Sequence, residues 1–280
     1  MKLSVNVSYL RKQRGTKQLR DILDCARIVR DAGFRYVDFT GNDYLFNDNW
    51  QETMEEIFRG FERIGITVDQ THAPYVYSGM DEDDYQEHMR RAFQMSHMAK
   101  AKHIVIHADK YIPDEDGFSF HHALETIYDF YAPYVDYAKK VGLGVAVENL
   151  FDHKGRSHYR FTAYVEEQQA LIEKFNDPIV TACWDFGHGR VSYGDQHLDA
   201  LKQLGTRVSC THVHDNVLGM DLHQNPFLGD CNWEAVMAYL REIGYAGTFT
   251  FEMGYGILPD ALLGKYMKLL YETGEYMRSL

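Results

Sequence analysis

GVAVE (144–148) is a short run of small and β-branched residues closed by a carboxylate, with stretches of helical spacing on either side. The pattern recurs outward in both directions. Toward the N-terminus lie HIVIH (103–107), TVDQT (67–71), YVDF (36–39) and LSVNV (3–7); toward the C-terminus lie VTACWD (180–185), RVSCTHVH (207–214) and GTFTFE (247–252). Such runs read as strands. Between the first two, KQLRDILDCARIVRDAG (17–33) carries Leu19, Ile22, Leu23, Ala26, Ile28 and Val29 at roughly i, i+3, i+4 and i+7, and Gly33 supplies a stop. Segments 50–64, 85–99, 120–140, 164–175, 197–204, 233–243 and 258–275 read as helices in the same way. The runs end at intervals of about 35 residues. Strands separated by helices run parallel, and eight such units in 280 residues fit one closed (β/α)8 TIM barrel, an α/β fold in a single domain, 1–280. An open doubly wound sheet would announce a Gly-rich phosphate loop after its first strand, and SYLRKQRGT (8–16) is no such loop.

Composition narrows the function classes. With 45% hydrophobic and 25% charged residues the chain is globular, which excludes disordered and low-complexity scaffolds. Twenty-nine Lys and Arg against 41 Asp and Glu give a net charge of -12, which repels polyanions and anionic membranes. The basic clusters RKQR (11–14) and HKGR (153–156) are short; Lys154 and Arg156 read as a solvated loop rather than a phosphate cradle. Cys25, Cys183, Cys210 and Cys231 form no C-x-x-C pair and read as reduced thiols. No signal h-region or membrane span is evident, so the expectation is a soluble, cytoplasmic protein with neither nucleic-acid nor membrane partners; a homo-oligomer is compatible with the sequence.

The chemistry concentrates at the strand ends. Five of the last six runs close on His107, Glu148, Asp185, His214 and Glu252. In a (β/α)8 barrel the C-terminal ends of the strands form the active-site mouth, so these side chains converge. Buried carboxylates are costly without a partner. Glu148, Asp185, His214 and Glu252 therefore read as ligands of one divalent ion, and three carboxylates with one imidazole suit Mn2+, Mg2+, Co2+ or Zn2+. In WDFGHG (184–189), Asp185 and His188 lie three apart across what reads as a tight Gly-rich strand-to-loop turn. Residues at i and i+2 of a strand share a face, so His212 points the same way as His214 and reads as a core histidine one layer deeper. Asp221 and His223 fall in the loop after the seventh strand. Tyr75, Phe151 and Trp184 flank the expected mouth as an apolar wall.

QTHAPY (70–75), IVIHAD (104–109), VAVENL (145–150), CWDFGHG (183–189), THVHDN (211–216), DLHQNPFLGDCNW (221–233) and TFEM (250–253), in that order, resemble the xylose isomerase-like TIM-barrel superfamily. That group includes ketose 3-epimerases, hydroxypyruvate isomerase, inosose-processing enzymes and endonuclease IV. The resemblance implies Glu148, Asp185, His214 and Glu252 as metal ligands, Glu148 and Glu252 doubling as acid/base groups, and His188 at substrate oxygens. His72, His107, Trp184, Asp221 and His223 join it as mouth-lining, substrate-contacting residues. Two departures stand out: hydroxypyruvate isomerases have Gln where His214 stands, and the ketose 3-epimerase arginine has no counterpart before Pro226.

The expected activity is a metal-dependent isomerase or epimerase of sugars, sugar phosphates or small keto-polyols. Glu148 and Glu252 would move a proton through a metal-stabilised enediolate. The alternative is an endonuclease IV-like multi-zinc phosphodiesterase. Residues of its nine-ligand type stand at His72, His107, Glu148, Asp185, His188, His214, Asp221, His223 and Glu252, but it needs a basic, duplex-wide surface. A binding-only barrel is the third class.

Overall fold

Eight strands pair in parallel around a closed barrel in the computed structural model, which describes residues 1–12, 19–75, 81–110, 117–152, 160–217, 219–254 and 258–280. They are β1 (Lys2–Asn6), β2 (Tyr36–Phe39), β3 (Thr67–His72), β4 (His103–Ile106), β5 (Gly144–Glu148), β6 (Val180–Asp185), β7 (Val208–Val213) and β10 (Thr248–Phe251). A two-stranded antiparallel hairpin, β8 (Asp215–Val217) and β9 (Met220–Gln224), stands apart from the barrel sheet. The barrel order β1-β10-β7-β6-β5-β4-β3-β2 closes where Lys2 to Val5 pair with Thr248 to Phe251.

The major helices α1 (Ile22–Ala32), α3 (Trp50–Ile64), α4 (Glu82–Met98), α5 (Phe120–Val141), α6 (Val165–Phe175), α8 (His197–Leu204), α9 (Trp233–Glu242) and α10 (Asp260–Ser279) follow the apolar periodicity, with short α2 (Asn42–Leu45) after β2. Helix α1 starts five residues later than its periodicity, because the Asp21 side chain accepts the backbone N–H of Leu23 and Asp24 and fixes the N-terminus there. No helix among the described residues is long and apolar enough to cross a membrane.

Two elements differ from the sequence reading. WDFGHG is no turn: β6 runs directly into α7 (Phe186–Tyr193), and the Asp185 carboxylate caps it by accepting the His188 N–H at 2.7 Å. Asp221 and His223 lie on β9 instead of in an irregular loop. Lys154 and Arg156 are outside the described residues, as is Arg14.

Register places the interior. Glu148 pairs with Cys183, and a bulge between Ala182 and Cys183 brings Asp185 opposite His212. Val105, Ala146, Cys183 and Cys210 come two residues before His107, Glu148, Asp185 and His212, so they share the inward face one layer below. They form a separate, fully buried apolar floor beneath a polar layer. All four cysteines are free thiols. Trp184 alternates with inward-facing Cys183 and Asp185 and so points outward. It is fully buried in the core and packs where α7 passes Gly189, which corrects its assignment to the substrate wall.

Candidate metal centre

Four buried side chains meet above the floor. Ligand-capable atoms of Glu148, Asp185, His212 and Glu252 all lie within 4.8 Å of one another. His212 Nδ1 stands 3.0 Å from Glu148 Oε1, 3.5 Å from Glu252 Oε2 and 3.9 Å from Asp185 Oδ2. The imidazole that joins the three carboxylates is therefore His212, where the sequence reading put His214. The reason is register: β7 ends at Val213, and His214 lies beyond it on the way to β8. His214 remains buried but belongs to a second group with His188, Asp221 and His223. Its Nε2 is 3.1 Å from Asp185 Oδ1, and its ring stacks on His223 at 3.9 Å. A third group joins His72 to Glu148 and His212.

The histidines are aimed by the backbone. Nδ1 of His72 lies 2.7 Å from the Ala73 carbonyl, Nδ1 of His188 lies 2.9 Å from that of Asn149, and Nδ1 of His223 lies 2.8 Å from that of Glu252. A carbonyl only accepts, so each Nδ1 carries the hydrogen and each Nε2 is turned to a carboxylate. His72 Nε2 is 3.1 Å from Glu148 Oε2, His223 Nε2 is 3.5 Å from Asp221 Oδ2, and His188 Nε2 is 4.0 Å from the same carboxylate. Such hydrogen bonds to Nδ1 fix the tautomer and orientation of each ring. His107 Nε2 adds a 3.0 Å contact to Glu148 Oε2, with Asp109 behind it at 3.8 Å. His223 has a φ of +47°, a left-handed backbone conformation uncommon for non-glycine residues though less so for histidine.

Electrostatics follow from this crowding. Burial works against charge on Glu148, but His212 and His107 outweigh it and hold its carboxyl well below the usual range. Burial disfavours the charged ring of His107, yet Glu148 and Asp109 push it up to about 10. At His223 burial is likewise outweighed, here by Asp221 and Glu252, and the ring is raised to about 10. Anionic carboxylates interleaved with imidazoles, all drawn from water, form a donor set that fits a divalent cation. Glu148, Asp185, His212 and Glu252 would hold it.

The surroundings are suited to a small polar ligand. A cavity of about 640 Å³ adjoins the cluster, lined in part by Tyr9, Tyr75, Asp221, His223 and Met253, within the usual size range of small-molecule sites. Tyr75 packs against His72 and His107, and Phe151 against His188. Tyr9, which sequence reasoning passed over, has its hydroxyl 3.0 Å from that of Tyr75. Burial, reinforced by the Glu252 charge, drives its phenol far above the usual range, so it stays a hydrogen-bond donor. Asp38 and Gln70 were also passed over; the available signal was a polar residue inside each of two short strand runs.

Residues 26–273 match the profile of the xylose isomerase-like TIM barrel family. The chain belongs to that family. An uncharacterized protein of Sinorhizobium fredii is 21% identical over 259 residues, covering 80% of this chain and 78% of its own. Among solved structures, D-psicose 3-epimerase with D-tagatose from Clostridium cellulolyticum H10 superimposes with a TM-score of 0.77 at 16% identity, over 99% of both chains. The IolI protein with a bound zinc atom gives 0.75 at 17% identity, over 100% of this chain and 98% of its own. At these identities the likeness establishes the shared fold.

Proposed function

We propose that this protein is a divalent-metal-dependent isomerase or epimerase acting on a sugar or small keto-polyol. The observation that carries the reading is the convergence of Glu148, Asp185, His212 and Glu252. One Mn2+, Mg2+, Co2+ or Zn2+ suits this set. When bound, such an ion polarises a substrate carbonyl and its neighbouring hydroxyl and so acidifies the C–H between them. Glu148 and Glu252 reach the centre from β5 and β10, on different sides of the barrel. One takes a proton from carbon and the other returns it, as inversion of a carbon centre requires. Tyr9, whose phenol burial and the Glu252 charge hold far above its usual range, stays protonated beside that carboxylate and helps to orient it. His188, fixed through Nδ1, offers Nε2 to a substrate hydroxyl. The zinc in IolI and the sugar in the epimerase structure, both on this fold, support the reading.

The second and third side-chain groups favour one other reading, a multi-zinc phosphodiesterase. The net charge of -12 opposes it, since a duplex must be met by a basic surface. One experiment separates the two. Solvent deuterium incorporation into a panel of ketoses is followed at saturating Mn2+, alongside metal counting by elemental analysis. Exchange with one ion per chain is expected, and Glu252→Gln should slow it by about 10²–10⁴. No exchange with any ketose, with three ions bound, would establish the phosphodiesterase reading instead.

A further inference from the structure

Two further buried polar side chains touch the imidazole that joins the carboxylate cluster. Asp38 on β2 and Gln70 on β3 pair in register, and both are fully buried in the barrel interior. Gln70 Nε2 donates to Asp38 Oδ2 at 2.6 Å and lies 2.9 Å from His212 Nε2. Asp38 Oδ2 is itself 3.5 Å from His212 Nε2. Among the described residues no Lys or Arg pairs with Asp38, and His212 is the one titratable partner in reach. Asp38 Oδ1 and Gln70 Oε1 are buried without any hydrogen-bond partner. A buried carboxylate and a buried amide, each with one unpartnered acceptor, are unfavourable for folding, so their presence calls for a use.

We propose that Asp38 and Gln70 are positioning residues that set the orientation and tautomer of His212. This rests on the reading of Glu148, Asp185, His212 and Glu252 as a metal centre. An imidazole that ligates through Nδ1 carries its hydrogen on Nε2, and that hydrogen needs an acceptor. Two stand ready: Asp38 Oδ2, and the unpartnered Gln70 Oε1, which a rotation of the amide turns toward the ring. Gln70 Nε2 stands 2.9 Å from His212 Nε2, and His212 Nδ1 stands 3.0 Å from Glu148 Oε1. Asp38 and Gln70 also fix the plane of the ring, because His212 is gripped at opposite corners from β2, β3 and β5. Carboxylate partners of this kind raise ligand basicity and orient the ring.

The test is Mn2+ titration, read as free Mn2+ by electron paramagnetic resonance, on wild type, Asp38→Leu, Asp38→Asn and Gln70→Met, with melting temperature as a control on folding. Removing one partner of a buried charge pair can itself be destabilising, so affinities are compared only among variants that remain folded. A purely packing role would leave Asp38→Leu with wild-type affinity. The expected result is a loss of about 10–100-fold for Asp38→Leu and Gln70→Met, and a smaller loss for Asp38→Asn, whose amide oxygen still accepts. The ¹⁵N spectrum of His212 in the Zn2+-loaded protein should show the hydrogen on Nε2. If wild type binds Mn2+ and the apolar variants bind it equally well, the proposal falls while the metal centre stands. If wild type binds no divalent ion, the metal centre itself falls. Should Asp38→Leu not fold, Gln70→Met carries the same comparison.

Discussion

Gly187 lies flat against the imidazole of His214, so close that a β-carbon there would overlap Cε1, Nδ1 and Nε2 of the ring. The first turn of α7 and the start of the hairpin are thus packed through a histidine face with no room for a methyl group. Gly187→Ala should displace the ring and destabilise the protein by about 1–3 kcal/mol, the usual cost of overpacking. Urea denaturation measures the loss. An unchanged midpoint would mean that the ring has space to move, which its complete burial argues against.

The two histidines of β7 and its extension should separate cleanly. His212→Ala removes the imidazole that meets all three carboxylates and should weaken Mn2+ binding by more than the 10–100-fold typical of an outer-sphere change. His214→Ala leaves that set intact and should change affinity by less than about tenfold. Isothermal titration of both variants reads the difference directly, and the reverse ranking would return the ligand role to His214.

Asp185 has two duties that different substitutions pull apart. Its Oδ1 caps α7 through the His188 N–H, and its Oδ2 faces the cluster. Asp185→Asn keeps an acceptor for the cap and loses the charge, whereas Asp185→Ala loses both. In metal-free protein the alanine variant should be about 1 kcal/mol less stable than the asparagine variant. Both should bind Mn2+ poorly. Equal stability of the two would show that the cap contributes nothing.

Glu167 gives a pH dependence away from the site. It is buried at the start of α6 and accepts from the Tyr164 N–H. Burial raises its pKa to about 8, against an ordinary carboxyl value of 4.5. The folded state therefore holds this proton more tightly than the unfolded chain. Its contribution to stability is fully present below pH 4.5 and is lost progressively up to about pH 8. Glu167→Gln, which keeps an acceptor and does not ionise, should gain stability relative to wild type across that window. A difference on the order of 1–3 kcal/mol between pH 5 and pH 8 is expected from urea curves at each pH. A pH-independent difference would contradict the burial argument.

Strand positions were legible because barrel strands are short apolar runs at a regular interval, and all eight runs correspond to barrel strands within a residue or two at each end. Glu148, Asp185 and Glu252 were legible for the same reason: each ends or directly follows such a run. The identity of the fourth member was not. Choosing between His212 and His214 needs the level of β7 relative to β6, and a bulge at Ala182 and Cys183 sets that level without leaving a mark in composition. Helix α7 was hidden because its two glycines lower helix propensity, while its cap, Asp185, had already been read as a ligand. The hairpin was hidden because MDLHQ (220–224) is short and, although Met220, Asp221, Leu222 and His223 alternate, its apolar side chains Met220 and Leu222 are exposed instead of packing on the core. Asp38 and Gln70 were overlooked because polar residues inside a strand run, Asp38 in YVDF and Asp69 with Gln70 in TVDQT, give no hint of what they face across a barrel.

The hairpin of β8 and β9 divides the labour of the mouth. Glu148, Asp185 and His212 are borne on barrel strands and Glu252 directly follows one, all held in register by the closed sheet, whereas Asp221 and His223 hang on a connection between β7 and α9 that shares no ladder with the barrel. Among the described contacts, the hairpin's side chains reach the carboxylate cluster through few ties, chiefly the His223 hydrogen bond to the Glu252 carbonyl and the stacking of His223 on His214. Such an arrangement makes the roof interchangeable. Descendants of this chain can lengthen, shorten or rewrite the hairpin without disturbing the carboxylates held by the barrel strands, so the roof and the cluster beneath it are inherited on separate pieces of backbone.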